Sequence, residues 1–334
     1  MPTISIAMPA YNAGKYIAAA IESIIIQTYT DWELIICDDC STDNTIDIIE
    51  SYQKKHANIK LIKRSTNSGG CRLPRFDAIL AAEGDFVCPI DSDDVIEERY
   101  LEKLIYRQQE TNADIVLSRM IICNEDLNPR ATSIPNKNYN IDELITGKEA
   151  CRRTIGNWLI AMAGLLTSTA LYKAFIKSSD LATFSGAFAD EIDHRRLLLS
   201  AKIVATVNAR YLYRQQPSSI VHSVSANSYN SLNSCTELLN FVIETFTSEK
   251  ELIAKAHGEY MEKLYRAQQK FYYYNAIYSN EEKRQISKII EKHYNYIKGY
   301  KLTFNGKRNK LLSMAFPVFK TYTWIIDRII KLKS

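Results

Sequence analysis

Residues 4–117 alternate short, continuously apolar segments with longer segments whose apolar residues recur at helical spacing. The predicted strands are 4–8, 32–37, 59–62, 86–90 and 115–117, and the predicted helices are 15–27, 42–55, 72–82 and 99–109. Strands that are apolar throughout need cover on both faces, which is typical of parallel strands joined by helices. The alternation therefore predicts an α/β fold with a mostly parallel sheet flanked by helices.

Polar clusters follow four of these strands, at 9–12, 38–43, 67–70 and 91–94. Ligands of open α/β sheets bind outside the carboxyl ends of the strands, so we expect these loops to converge on one site. Ser, Thr and Asp also cap helices, and we interpret Ser41, Thr42 and Asp43 mainly as caps.

The densest cluster is the segment Asp91, Ser92, Asp93 and Asp94, called the acidic turn below. Its three carboxylates repel one another unless a cation or basic group lies among them, and carboxylate oxygens are the ligands that divalent cations prefer. The acidic turn therefore predicts a metal site. We interpret Asp94 as the cap of the next helix.

The second half of the chain is less regular up to about residue 225 and becomes helical beyond residue 227, with a predicted loop at 125–145. Seven cysteines are scattered along the chain, and the N-terminus lacks the pattern of a signal peptide. We expect reduced thiols and a cytoplasmic location. Cys37 and Cys40 have the spacing of a redox or metal pair, but no second ligand pair accompanies them.

The net charge of +4 is concentrated near the C-terminus, where residues 298–334 hold nine basic residues and one acid, Asp327. Because the rest of the chain is slightly acidic, we do not expect a nucleic-acid partner. The basic residues alternate with aromatic and aliphatic ones, a composition suited to contact with the inner membrane surface. The alternative is a tail that docks on its own domain.

Four motifs in order resemble the family 2 glycosyltransferases: Met8-Pro9-Ala10-Tyr11-Asn12, then Asp38-Asp39-x-Ser41-x-Asp43-x-Thr45, then Asn67-x-Gly69 with Arg75 downstream, then the acidic turn. The resemblance runs from Ile4 to about His222. It implies an inverting enzyme with a GT-A-like nucleotide-diphospho-sugar transferase fold. Under this interpretation residues 1–225 form the glycosyltransferase domain, with a donor half at 1–118 and an acceptor half at 119–225, and residues 226–334 form a helical C-terminal extension.

The resemblance implies a nucleotide-sugar site formed by Pro9, Ala10, Tyr11, Asn12, Asp39, Arg75, Asp91 and Ser92. Asp39 would lie beside the base, where a carboxylate accepts a hydrogen bond from N3–H of uracil or thymine but finds no such donor on cytosine. A UDP-sugar or dTDP-sugar donor follows as a hypothesis. Arg75 would approach the base or the diphosphate.

By the same resemblance, Asp93 with Asp91 and His222 would hold Mn²⁺ or Mg²⁺, which stabilises the charge that grows on the leaving diphosphate. Gln216 stands where family members often carry His. The base that accepts the proton of the acceptor hydroxyl would come from an acid pair ahead of a helix. In this chain the pair is Asp190 and Glu191 in swapped order; Asp193 aligns with an acid of the family, which puts Glu191 in the base position and leaves Asp190 as the alternative.

The predicted activity is metal-dependent transfer of a hexosyl or N-acetylhexosaminyl group to a hydroxyl of a glycan or lipid-linked saccharide, in surface polysaccharide synthesis. One alternative is a sugar nucleotidyltransferase, although the loop after the first strand has only one glycine, Gly14. Another is a non-catalytic scaffold that keeps the fold and binds sugar.

Overall fold

The structure is a computed structural model that describes residues 3–134, 142–155, 163–178, 189–216 and 224–299, together with Phe319. The chain divides into two compact units, Met1–Pro217 and Ser218–Ser334. The first unit is built on a ten-stranded sheet, and the described part of the second is helical.

The strands of the first unit are β1 (Ile4–Ala10), β2 (Trp32–Asp38), β3 (Ile59–Lys63), β4 (Phe86–Pro89), β5 (Val95–Ile96), β6 (Ile115–Cys123), β7 (Pro129–Ile134), β8 (Leu144–Thr146), β9 (Leu165–Ser168) and β10 (Ile203–Arg214). Its helices are α1 (Ile17–Ile25), α2 (Thr45–Gln53), α3 (Arg72–Leu80), α4 (Tyr100–Thr111), α5 (Gly147–Thr154), α6 (Thr169–Ser178) and α7 (Ala189–Ser200). Every strand and helix predicted in the first 117 residues is present, with ends that shift by three residues or fewer, except that β6 runs six residues beyond its predicted end.

The main path of the sheet has the order β3-β2-β1-β4-β9-β6-β10-β5, while β7 pairs with β6 and β8 with β10. Strands β3, β2, β1 and β4 are parallel, as are β6 and β10. Strand β9 lies antiparallel between β4 and β6. The α/β architecture is confirmed. The sheet is mixed, because β9 joins the two parallel groups and because β5, β7 and β8 also pair antiparallel with their neighbours.

The buried strands β1 and β2 contain two polar residues, Ser5 and Glu33, near their N-terminal ends. The Ser5 hydroxyl donates to the Glu33 carboxylate at 2.5 Å, and Nζ of Lys60 lies 2.9 Å from the same carboxylate. The backbone N–H of Glu83 donates to it at 2.8 Å. These partners satisfy a buried charge at the edge of the sheet opposite to the predicted site.

The predicted loop at 125–145 is wrong in part, because β7 and β8 lie within it. Strand β7 begins at Pro129, and β8 contributes only three residues to the antiparallel pair with β10. Both strands are side branches of the sheet that pair with a single neighbour. Edge strands tolerate proline and polar residues, so they lack the apolar pattern that reveals buried strands.

The second unit contains a 3-10 helix at Ala226–Asn230 and helices α8 (Ser231–Thr245), α9 (Lys250–Tyr273) and α10 (Asn280–Gly299), which confirms the helical C-terminal region. Most of the predicted basic tail lies outside the described residues. Phe319 is buried, and its ring centroid lies 4.9 Å from that of Tyr294, as the docked alternative predicts for this residue. Among the described residues, no helix has the length and apolarity to cross a bilayer.

Candidate functional site

The loops that follow β1 and β2 are joined at the carboxyl edge of the sheet. Ala10 and Asp38 are register partners at the ends of these strands. Beyond them, the Asn12 backbone N–H donates to the Ser41 hydroxyl at 2.9 Å, and Oδ1 of Asn12 accepts from the Thr42 N–H at 2.8 Å. Asn12 adopts a left-handed conformation with φ of 46°, which Asn tolerates better than most residues. The segment 9–12 is therefore fixed beside the second loop.

Within this segment Pro9 and Ala10 are buried, whereas the Tyr11 side chain is 52% exposed. An exposed aromatic ring held on a buried backbone segment is a suitable surface for a planar ligand. Asp43 accepts from the Thr45 N–H at 3.0 Å at the start of α2, and from the Gly14 N–H at 3.0 Å, although the residue in the N-cap position of α2 is Asn44. Ser41 and Thr42 bond to Asn12 instead, so their interpretation as caps is wrong.

Asp39 joins the loops that follow β2 and β3, and it is buried. Its carboxylate accepts hydrogen bonds from the Ser68 N–H at 2.9 and 3.0 Å and from the Ser68 hydroxyl at 2.8 Å. Nε of Arg64 lies 3.0 Å from Oδ1 of Asp39. Ser68 and Arg64 therefore already lie at the carboxylate, whose two oxygens offer about four acceptor positions to these groups and to a nucleobase N–H.

The acidic turn follows β4, and each of its acids has a different partner. The Asp91 carboxylate accepts from Nη2 of Arg75 at 2.7 Å, and Arg75 is buried in α3. The Asp93 carboxylate accepts from Nε2 of Gln216 at 2.5 Å. Ser92 lies half-buried between them. The turn therefore brings Arg75 and Gln216 together with two acids of the predicted metal site.

Asp94 is not a helix cap, contrary to the sequence-based interpretation. It is fully buried, accepts from the Tyr211 hydroxyl at 2.6 Å, and accepts from the Arg214 backbone N–H at 2.7 Å. Strand β5 separates it from α4, which is preceded by Arg99. The carboxylate instead fastens the acidic turn to the end of β10.

Arg214 and Tyr211 are the residues of the site whose roles the sequence did not reveal. Nε of Arg214 donates to the Asp93 backbone oxygen at 2.7 Å, and the Asp91 N–H donates to the Tyr211 hydroxyl at 3.1 Å. The Arg214 guanidinium also lies 4.9 Å from the centroid of the Tyr16 ring. The sequence shows Arg214 within a Tyr-Arg pair at 213–214. For Tyr211, the available sequence signal is the alternation of side chains along β10, which does not indicate a contact with the acidic turn.

The electrostatics of the acidic turn favour an added cation. Burial, reinforced by the neighbouring Asp91 charge, raises the pKa of Asp93 to about 6. Burial and the charges of Asp93 and Asp91 likewise raise the pKa of Asp94 well above its ordinary value. The basic groups at the turn therefore do not fully compensate its acids, and a positive charge at Asp93 would relieve the repulsion.

The described residues contain no cluster of three or more His, Cys, Asp or Glu side chains that could hold a metal without help. Asp91 and Asp93 nevertheless fit a divalent cation that shares its coordination with substrate phosphates, because Mg²⁺ sites often use one or two carboxylates and phosphate oxygens. His222, the third predicted ligand, lies outside the described residues.

The predicted base residues Asp190 and Glu191 lie in the first turn of α7, and the structure describes only their backbone. The next acid, Asp193, is buried and forms two hydrogen bonds with Arg72 of α3. The helix that carries the predicted base is therefore attached to the helix that carries Arg75.

A mixed α/β domain with an acidic turn at the carboxyl edge of its parallel strands is the arrangement of a nucleotide-sugar glycosyltransferase. The sequence matches the family described as glycosyl transferase family 2 over residues 5–164. It is 30% identical over 222 residues to glycosyltransferase GlyG of Streptococcus pneumoniae, an alignment that covers 66% of this chain and 73% of that protein. The chain belongs to the family 2 glycosyltransferases.

Two further similarities concern TarS of Staphylococcus aureus, a poly(ribitol-phosphate) beta-N-acetylglucosaminyltransferase. The sequences are 39% identical over 122 residues, which is 36% of this chain and only 21% of TarS. The crystal structure of TarS residues 1–349 in complex with UDP-GlcNAc superposes with a TM-score of 0.67 at 22% identity, covering 99% of this chain and 92% of that one. This second likeness establishes the shared GT-A-like fold.

The unequal environments of Asp93 and Asp91 predict opposite effects of neutralising them. For Asp93, ionisation opposes folding because its pKa is raised from 3.8 to about 6; the penalty begins above pH 3.8 and is complete above about pH 6. In metal-free buffer at pH 7.5, Asp93→Asn should raise the free energy of unfolding by about 1–2 kcal/mol, and this gain should vanish below about pH 4.

Asp91→Asn serves as the matched control and should lower the free energy of unfolding, because it removes the charged partner of the buried Arg75. Urea denaturation from pH 4 to 8 measures both variants. Equal losses of stability for the two variants at pH 7.5 would contradict this account of the acidic turn.

Proposed function

We propose that this glycosyltransferase uses a UDP-sugar and transfers a hexosyl or N-acetylhexosaminyl group, with inversion, to a hydroxyl of a glycan or lipid-linked saccharide in surface polysaccharide synthesis. The observation that carries the proposal is the acidic turn, whose Asp93 has a pKa raised to about 6. This carboxylate follows the carboxyl end of β4. Strand β4 pairs in parallel with β1, and segment 9–12 lies at the carboxyl end of β1. Similarity to a poly(ribitol-phosphate) beta-glucosyltransferase and to poly(ribitol-phosphate) beta-N-acetylglucosaminyltransferases supports this donor class.

In this proposal the nucleoside lies against Pro9, Ala10, Tyr11 and Asn12, with the uracil edge near Asp39. The N3–H would donate to Asp39, whose carboxylate also holds the loop at 67–70 through Ser68. A dTDP-sugar remains the alternative donor because thymine presents the same N3–H. The structure of TarS with UDP-GlcNAc supports uridine as the first base to test.

The diphosphate lies at the acidic turn, where Asp93 and Asp91 would hold Mg²⁺ or Mn²⁺. The cation supplies Lewis-acid stabilisation of the leaving diphosphate when it is bound. Arg75 keeps Asp91 in place, and Gln216 donates to Asp93 from the end of β10. The amide of Gln216 has a carbonyl oxygen as well as an N–H donor, so its rotation could turn this side chain from a partner of Asp93 into an oxygen ligand.

Glu191, or Asp190 beside it, accepts the proton of the acceptor hydroxyl as the oxygen attacks the anomeric carbon. The bond between that carbon and the diphosphate oxygen breaks in the same step, which inverts the anomeric centre. The family match does not favour the sugar nucleotidyltransferase alternative. A non-catalytic scaffold would bind the nucleotide sugar without transferring the sugar, so activity assays distinguish it directly.

Calorimetry with UDP, dTDP and GDP, each with and without Mn²⁺, tests the donor proposal. We expect UDP to bind most tightly, and Mn²⁺ to increase its affinity at least about tenfold because metal and diphosphate share ligands. Asp93→Asn should abolish the increase due to Mn²⁺ and retain weak binding of UDP. Metal-independent binding, or a preference for GDP, would contradict the proposal.

The proposed base is tested by Glu191→Gln and Asp190→Asn, which keep the size of each side chain. Glu191→Gln should lower transfer by about 10²-fold or more and leave the Kd for UDP unchanged, because a base acts on the acceptor and not on the nucleotide. Normal turnover by Glu191→Gln with loss in Asp190→Asn would move the base to Asp190. Loss of UDP binding in both variants would contradict a role confined to proton transfer.

The basic segment 298–334 is proposed to contact anionic lipid at the cytoplasmic face of the membrane, as its composition of basic and aromatic residues suggests. Contact of Phe319 with Tyr294 supports the docked alternative for that part of the segment. Flotation with anionic and neutral liposomes separates the two. Membrane contact is supported if the unaltered chain is recovered with anionic liposomes and a variant with Gln at every Lys and Arg of segment 298–334 is not. Equal recovery of the unaltered chain and the variant contradicts membrane contact.

A further inference from the structure

Helix α3 carries two buried arginines one helical turn apart, and each binds an acid from a different part of the chain. Arg75 donates to Asp91 in the acidic turn at 2.7 Å. Arg72 donates to Asp193 in α7 through Nε at 2.5 Å and through Nη2 at 3.0 Å. A single helix is therefore attached both to the proposed donor site and to the helix that carries the proposed base.

The contact between Arg72 and Asp193 has the geometry of a positioning device. Two parallel N–H donors on a planar guanidinium fix both the distance and the orientation of a carboxylate, which a single ammonium group cannot do. The side chains of Arg72 and Asp193 are 10% and 2% exposed, so salt and water weaken the contact little. The Phe76 ring lies 5.4 Å from the guanidinium carbon and restricts its movement further.

Stability alone is a weak reason for this ion pair. Removing two charges from water costs free energy that their attraction often fails to recover, so buried ion pairs frequently add little to folding. Burial raises the pKa of Asp193 although Arg72 opposes the shift, which indicates that the cost of desolvation is present here. What the ion pair does provide is a fixed relation between two helices that the chain separates by more than a hundred residues.

We propose that Arg72 is a positioning residue for glycosyl transfer, holding α7 and its acid pair at a fixed distance from the acidic turn through Asp193. The inference rests on the proposed function, because it requires the base to be Glu191 or Asp190. Asp193 lies two and three residues beyond these acids in the same helix, so its anchorage sets the position of the helical turn that carries either of them. Arg75 holds the donor side and Arg72 the acceptor side of the same reaction.

The two arginines therefore predict different kinetic defects from the same substitution. The assay is release of UDP from UDP-N-acetylglucosamine and UDP-glucose with water as acceptor, together with the Kd for UDP. Arg72→Lys should lower kcat at least about 10-fold and change the donor KM less than about 2-fold, because a displaced base slows the chemical step without weakening nucleotide binding. Arg75→Lys should raise the donor KM and the Kd for UDP.

Lys60→Gln is the control for loss of a positive charge that compensates a buried carboxylate, although Lys60 itself is partly exposed. Lys60 binds the buried Glu33 at the N-terminal ends of the strands, remote from the acidic turn. This variant should lower the melting temperature and leave kcat unchanged. Asp193→Asn, which keeps one acceptor for Arg72, is the second test of the pair and should lower kcat with little change in KM, even if Arg72→Lys folds poorly.

The outcomes separate the inference from the proposed function. If Glu191→Gln or Asp190→Asn is inactive while Arg72→Lys and Asp193→Asn keep normal kcat, the inference alone is wrong. It is also wrong if Arg72→Lys raises the donor KM as Arg75→Lys does, or if Lys60→Gln loses kcat in proportion to its melting temperature. If the unaltered chain does not bind UDP, or if both acid variants are fully active, the proposed function fails and the inference fails with it.

Discussion

The burial of the Asp94 carboxylate is the constraint on which the rest of the site depends. It accepts hydrogen bonds from the Tyr211 hydroxyl and the Arg214 N–H, and so joins the end of β4 to the end of β10 across the intervening β9 and β6. An ionisable group this deep needs specific partners, and β10 supplies them at the point where β4 ends. Once this contact forms, the acidic turn has a fixed shape, and Asp91 and Asp93 project from a rigid base.

In this shape, Asp91 and Asp93 of the acidic turn have partners of different charge. Arg75 compensates Asp91, and Gln216 offers Asp93 a neutral amide that does not cancel its charge. Asp93 is left with a pKa raised to about 6, as expected for a buried carboxylate that has another carboxylate beside it. A divalent cation accompanied by phosphate oxygens, as proposed for the nucleotide-sugar donor, would offset this charge.

The sequence predicted what depends on local periodicity and failed where distant residues decide. Continuous apolar runs in β1 and β2 identified the strands, and the polar segments after them lie at one edge of the sheet, as predicted. Asp94 looked like a helix cap because local rules consider only nearby residues, whereas its partners lie 117 and 120 positions away. Arg72 and Asp193 are 121 positions apart, so the periodicity along α3 does not predict their pairing either.

The most direct test of the central claim is the position of a bound cation in crystals grown with UDP and Mn²⁺, located by anomalous scattering at the manganese edge. We predict one strong peak within about 2.5 Å of an Asp93 carboxylate oxygen, with the diphosphate of UDP on its other side. Weaker contact with Asp91, or contact through water, agrees with the account. A manganese peak elsewhere in the chain, with UDP bound at segment 9–12 and no metal at the acidic turn, would contradict it.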